Sequence, residues 1–184
     1  GALTEILRRH EALRTHFPLQ GGDPFQEIDP AAPAHLPVLD LAAVPAEREA
    51  EAGRIASAEA RRPFDLARGP LLRLALLRLD AEDHVLVLVV HHLVSDGWSA
   101  ALFLRELSVL YGACLGGEPS PLAEPPVQYA DWAVWQREQL RGEVLEAHLR
   151  WWTERLAGAP RVLDLPTDRP RPPVEAPAGS TVPL

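Results

Sequence analysis

Residues 71–98 read LLRLALLRLDAEDHVLVLVVHHLVSDGW, and the way this stretch divides decides the fold. Leu71 to Leu79 follows the Gly69-Pro70 break and reads as a strand. Asp80-Ala81-Glu82-Asp83 is an acidic turn, and residues 84–92 form a second strand, so the two are expected to pair as a hairpin. Val85 to Val90 is apolar at every position. Strand side chains alternate between faces, so both faces of this strand must be covered, and it is expected to lie centrally in its sheet. His91-His92-Leu93-Val94-Ser95-Asp96-Gly97 closes the strand, and an amphipathic helix opens at Trp98.

Working outward, residues 2–13 place Leu3, Ile6, Leu7, His10 and Leu13 near one helical face. Thr15 to Leu19 and Phe25 to Ile28 are short strands joined by Gly21-Gly22-Asp23-Pro24, and Leu36 to Leu41 is another. Residues 45–61 form a helix with Pro45 in its first turn and Pro63 past its end. Residues 98–115 put Phe103, Leu107, Leu110 and Cys114 on one face, and Gly116-Gly117 stops them. Helices are expected over 129–141 and 143–157, the second with Leu145, Leu149, Trp152 and Leu156 in register. From Pro160 onward Pro and Arg recur without periodicity, as in an extended connector. Strands mixed with helices indicate an α/β or α+β sandwich.

Composition narrows the function. The 184 residues are the size of one domain, 47% of them are apolar, and the net charge is −8. The basic residues, all arginine, are scattered, which excludes the clustered basic face that neutralises phosphates in a nucleic-acid binder. The absence of Met is read as a fragment whose natural start lies elsewhere. A single cysteine, Cys114, permits no intrachain disulfide. No signal segment opens the chain, and the apolar run 85–90 is too short for a bilayer, so a cytoplasmic setting and no membrane partner are expected.

The histidine run carries the chemistry. A zinc site requires at least three protein ligands, neighbouring strand residues point apart, and no second ligand cluster exists, so no metal is expected. His91 shares a face with Val85, Val87 and Val89 and reads as a satisfied core residue. His92 lies at the strand exit, where ligands often meet a sheet, and an imidazole titrates near neutral pH. It is the candidate general base for an attacking amine or hydroxyl. Asp96 has two readings: a cap for the following helix, or a carboxylate paired with Arg9 or Arg14. Gly97 serves turn geometry. Ser95 and Ser99 lack a nucleophile-elbow pattern, and Cys114 reads as core, so direct transfer between two bound substrates is favoured over an acyl-enzyme. Trp132, Trp135, Trp151 and Trp152 are read as packing residues in preference to a binding platform. The acidic helix Glu47 to Glu59 reads as a solvated face.

Several stretches together resemble condensation domains of nonribosomal peptide synthetases. His91, His92, Asp96 and Gly97 match H-H-x-x-x-D-G. Residues Arg9 to Phe17 match R-H-E-x-L-R-T-x-F at every fixed position. Residues Tyr129 to Gln136 match Y-x-D-Y-A-V-W-Q, with Trp132 for the usual Tyr, and Pro63-Phe64-Asp65-Leu66 with Gly69-Pro70-Leu71 also looks familial. The resemblance implies a chloramphenicol acetyltransferase-like lobe with a mixed central sheet flanked by helices. It implies residues 1–159 as most of an N-terminal lobe and 160–184 as a connector to a missing C-terminal lobe. It further implies peptide-bond formation between thioesters on the 4'-phosphopantetheine arms of upstream and downstream carrier domains, beside an adenylation domain, with no cofactor bound directly. His92 would be catalytic, or would position the amine. Asp96 would be structural, paired with Arg9 first or Arg14 second, and Gly97 would leave room for the arm. His91 to Ser99 resembles the subtype accepting an L-configured donor. An ester-forming acyltransferase and a non-catalytic carrier-interaction module are the alternatives.

Overall fold

The computed structural model describes residues 1–43, 47–163, 166, 170 and 174. It divides into two compact units, Gly1–Glu138 and Gln139–Leu184. The first opens with helix α1 (Ala2–Arg9), a 3₁₀ turn (Glu11–Arg14), and four two-residue strands: β1 (Thr15–His16), β2 (Leu19–Gln20), β3 (Asp23–Pro24) and β4 (Glu27–Ile28). β2 pairs with β3 around Gly21-Gly22, and β1 pairs with β4. Both glycines have positive φ, the conformation such a turn requires.

Strand β5 (Val38–Asp40), helix α2 (Arg48–Arg61), and strands β6 (Leu72–Arg78) and β7 (His84–Val90) build the main sheet. Its order is β5-β6-β7; β5 runs parallel to β6 across the α2 crossover, and β7 is antiparallel, so the sheet is mixed. Hairpin turn 79–83 closes with Leu79 N–H on the Asp83 carbonyl at 2.8 Å. α2 is rich in Ala, Glu and Arg, strong helix formers. Its acidic side is laced by ion pairs Glu51–Arg54 and Glu59–Arg62. Pro63 follows its end, while the expected placement of Pro45 lies outside the described residues.

Two apolar layers cover the sheet. Ala52, Ile55 and Ala56 of α2 pack with Leu41, Ala75, Leu77, Leu79, Val87 and Val89. On the other side α1 meets helix α3 (Gly97–Leu115), where Ala2, Ile6, Phe103 and Leu110 gather with Leu13, Leu88 and Leu107. Adjacent Val87 and Leu88 thus serve opposite layers, as strand alternation dictates. By length and composition α3 is apolar enough to cross a bilayer, but it packs on α1 and carries an ion-paired carboxylate.

The structure corrects the expectation that residues 84–92 form a central strand. Among the described residues β7 pairs with β6 alone and stands at the edge, while β6 is central. An all-apolar run reports cover above and below a strand, not neighbours on both sides. The strand also ends at Val90, since the chain turns at His91, whose carbonyl accepts Val94 N–H at 3.1 Å.

Helix α4 (Tyr129–Gln139) closes the first unit, and α5 (Gly142–Arg155) lies in the second. Trp132 and Trp135 of α4 are exposed, as are Leu145, Leu149, Trp151, Trp152 and Leu156 of the second unit, contrary to the packing expected for them. Helical spacing shows which residues share a face, not what covers it. Cys114 is exposed as well, contrary to the core position expected for it. The expected connector 160–184 falls largely outside the described residues.

Candidate functional site

The loop between β7 and α3 carries His91, His92 and Asp96, and Gly97 is the first residue of α3. His91 is half-buried. Its backbone N–H donates to the Leu71 carbonyl at 2.9 Å, and its Nδ1 accepts Leu93 N–H at 3.0 Å. His92 is exposed, and among the described residues no hydrogen bond holds its ring. It lines a cleft of about 260 Å³ with Ala12, Thr15, Phe17, Asp96, Ser99 and Tyr129. Three separate sequence motifs therefore converge on one space, with an accessible imidazole in its wall.

Asp96 takes the capping role. Its Oδ1 accepts Ser99 N–H at 2.8 Å and Ser99 Oγ–H at 2.7 Å, satisfying a free amide of the first turn of α3. Those two bonds, backbone first, hold its carboxyl below the usual aspartate range, with a smaller contribution from the Trp98 amide. The expected pairing of Asp96 with Arg9 or Arg14 is not formed. Arg9 points instead to Glu106 (3.5 Å) and to the carbonyls of Leu122 (3.3 Å) and Ala123 (2.8 Å). Arg14 donates to the Asp29 carbonyl and to Glu11 at 3.2 Å. The reason is position: Asp96 sits exposed at a helix start, where backbone amides already satisfy it. Gly97 opens α3 with no positive φ, and a Cβ there meets no atom within 4 Å, so turn geometry does not require glycine.

Glu106, which the sequence motifs do not single out, is the buried carboxylate of the site's scaffold. His10 Nε2 lies 2.7 Å from its Oε2. Burial pushes the Glu106 carboxyl up, but the His10 hydrogen bond and charge, with Arg9 behind them, outweigh it and leave it below the ordinary range. Its signal is present in the sequence: Glu106 lies three residues after Phe103 and four before Leu110, on the buried stripe of α3. A carboxylate there demands a partner. Gln128 completes the scaffold, donating to the Arg9 carbonyl at 2.8 Å and accepting Glu11 N–H at 3.2 Å. Asp131 accepts Gln128 N–H at 3.0 Å, which fixes the start of α4 and brings Tyr129 into the cleft. Among the described residues no three His, Cys, Asp or Glu side chains gather at metal-binding distance.

A family model described as "Condensation domain" matches residues 1–183. A chondramide synthase of Chondromyces crocatus is 51% identical over 177 residues, covering 95% of this chain and 4% of that protein. The crystal structure of the X-domain from teicoplanin biosynthesis superposes with a TM-score of 0.79 at 32% identity, over 93% of this chain and 38% of that one. The first condensation domain of the calcium-dependent antibiotic synthetase, in complex with a substrate analogue, gives 0.70 at 29% identity, over 87% and 38%. The chain thus spans a small part of the curated relative and under two-fifths of the solved chains.

Proposed function

The chain belongs to the condensation-domain family of nonribosomal peptide synthetases, with its chloramphenicol acetyltransferase-like fold, and from that premise we propose that it serves peptide-bond formation with His92 as the catalytic residue. The observation that carries this reading is the exposed His92 imidazole in a cleft walled by all three motif segments. An upstream carrier domain presents an aminoacyl or peptidyl thioester on 4'-phosphopantetheine, and a downstream carrier presents an aminoacyl group with a free amine. The amine nitrogen attacks the thioester carbon, the C–N bond forms, and the C–S bond breaks. His92 accepts the amine proton, or holds the amine by hydrogen bonding, and the departing thiolate takes up a proton.

Direct transfer fits the local chemistry, because the Ser99 hydroxyl is committed to Asp96. Gly97, at the mouth of α3 with open space where a Cβ would stand, leaves room for the pantetheine arm. The resemblance of His91 to Ser99 supports an L-configured donor. The partners are the two carrier domains and the adjacent adenylation domain, in the cytoplasm, with no cofactor held by the chain itself.

The test is a single-turnover assay on the complete two-lobe domain with loaded carriers, product read by mass spectrometry. His92→Ala is expected to lower dipeptidyl product formation by ~10²–10⁴-fold. Equal product from both proteins would refute the catalytic role. Product only with a hydroxyl acceptor would select ester formation. Carrier binding with no product from either protein would select a non-catalytic carrier-interaction module. Residues 1–184 alone are expected to yield no product.

A further inference from the structure

Phe64 lies in the Pro63-Phe64-Asp65-Leu66 segment just past α2, half-buried. Its ring meets the His91 ring edge to face, centroids 5.7 Å apart and planes at 87°. The Arg73 guanidinium of β6 stands 3.7 Å from the Phe64 centroid. That guanidinium is itself held. Its Nη2 donates to the carbonyls of Glu59 (2.8 Å) and Arg62 (2.7 Å), and its Nη1 to that of Pro63 (3.4 Å). The Glu59 carboxylate lies 3.2 Å from its Nε. Arg73 thus closes the C-terminal end of α2 and presents a fixed cation to Phe64.

His91 passes this rigidity on. With Nδ1 accepting the Leu93 amide, the neutral ring carries its proton on Nε2. Its backbone N–H is fixed to Leu71. The two bonds lie on either side of His92 in the chain, so the orientation of the His91 ring sets the backbone that displays His92.

We propose that Phe64 and Arg73 are positioning residues: their stack holds the His91 ring in the orientation that binds the Leu93 amide, and so presents His92 to the cleft. The proposal rests on the peptide-bond-forming reading of His92, and its test separates the two. Both readouts use the complete domain. Phe64→Leu removes the ring and leaves the Arg73 carbonyl bonds in place. Hydrogen–deuterium exchange of the Leu93 amide is expected to quicken in this variant and in Arg73→Met, with exchange across α3 unchanged. In the carrier assay, Phe64→Leu is expected to lower kcat by about five- to tenfold at unchanged KM for both carriers. Phe64→Tyr, which keeps the ring, is expected to restore both readouts. Unchanged Leu93 exchange in Phe64→Leu overturns the proposal. Faster exchange with wild-type kcat overturns it too, provided His92→Ala is impaired. If His92→Ala is as active as wild type, the catalytic reading has failed, and the exchange data alone decide whether the stack holds the loop.

Discussion

Glu106 is the residue whose removal tells most about how the site is held. Its side chain is 8% exposed and that of its partner Arg9 is 3% exposed, so solvent screens the pair little. Deleting one member of a buried ion pair costs about 3–5 kcal/mol. Glu106→Ala would fall at the lower end, about 3 kcal/mol, because Arg9 keeps the Leu122 and Ala123 carbonyls. Urea denaturation of the complete domain, with His10→Ala and the double variant, measures the loss and the His10–Glu106 coupling. The pH dependence has a fixed sign. Folded Glu106 has its pKa below the unfolded value, so its stabilisation is complete above the ordinary glutamate pKa of ~4.3 and is lost as pH falls through the depressed value. The gap between wild type and Glu106→Ala should shrink as acid protonates the Glu106 carboxylate. A loss under about 1 kcal/mol at neutral pH, or a gap that persists in acid, would refute the buried-pair account.

Two further outcomes follow from the geometry. Asp96→Ala should fray the first turn of α3, seen as faster exchange of the Ser99 amide, and Asp96→Ser should restore it because serine caps as well as aspartate. Failure of serine to restore it would refute the capping role of Asp96. Leu77→Ala, at a site with no exposure in the α2-facing core, should cost about 2–5 kcal/mol in urea unfolding, and a near-neutral result would show that layer to be loosely packed.

The elements with strong local signals are legible in the sequence. The β6–β7 hairpin and α3 can be read from the runs around Leu71–Leu79, Val85–Val90 and Trp98–Leu115, and the mixed sandwich and its family follow. What fails are statements about neighbours. Apolarity on both faces of β7 suggests a central place in the sheet, yet among the described residues the strand lies at an edge. The Asp96 carboxylate invites a distant arginine, when a backbone amide three residues on already satisfies it. The aromatic faces of α4 and α5 have helical spacing and are nonetheless uncovered. Glu106 escapes notice because a single acid among apolar residues looks like noise in a periodic pattern, until burial makes its charge matter.

The free side of β7 bears on how the protein behaves in a tube. Seven residues of backbone, His84 to Val90, offer hydrogen-bonding groups along one edge unpaired among the described residues. The strand carries no proline and, past His84, no polar side chain to discourage a second strand. Among the described residues that edge is a template for self-association. Aggregation of residues 1–184 produced alone would report on an uncovered edge, not on a defective core, and a lysine at exposed Val85 is the substitution suited to suppress it.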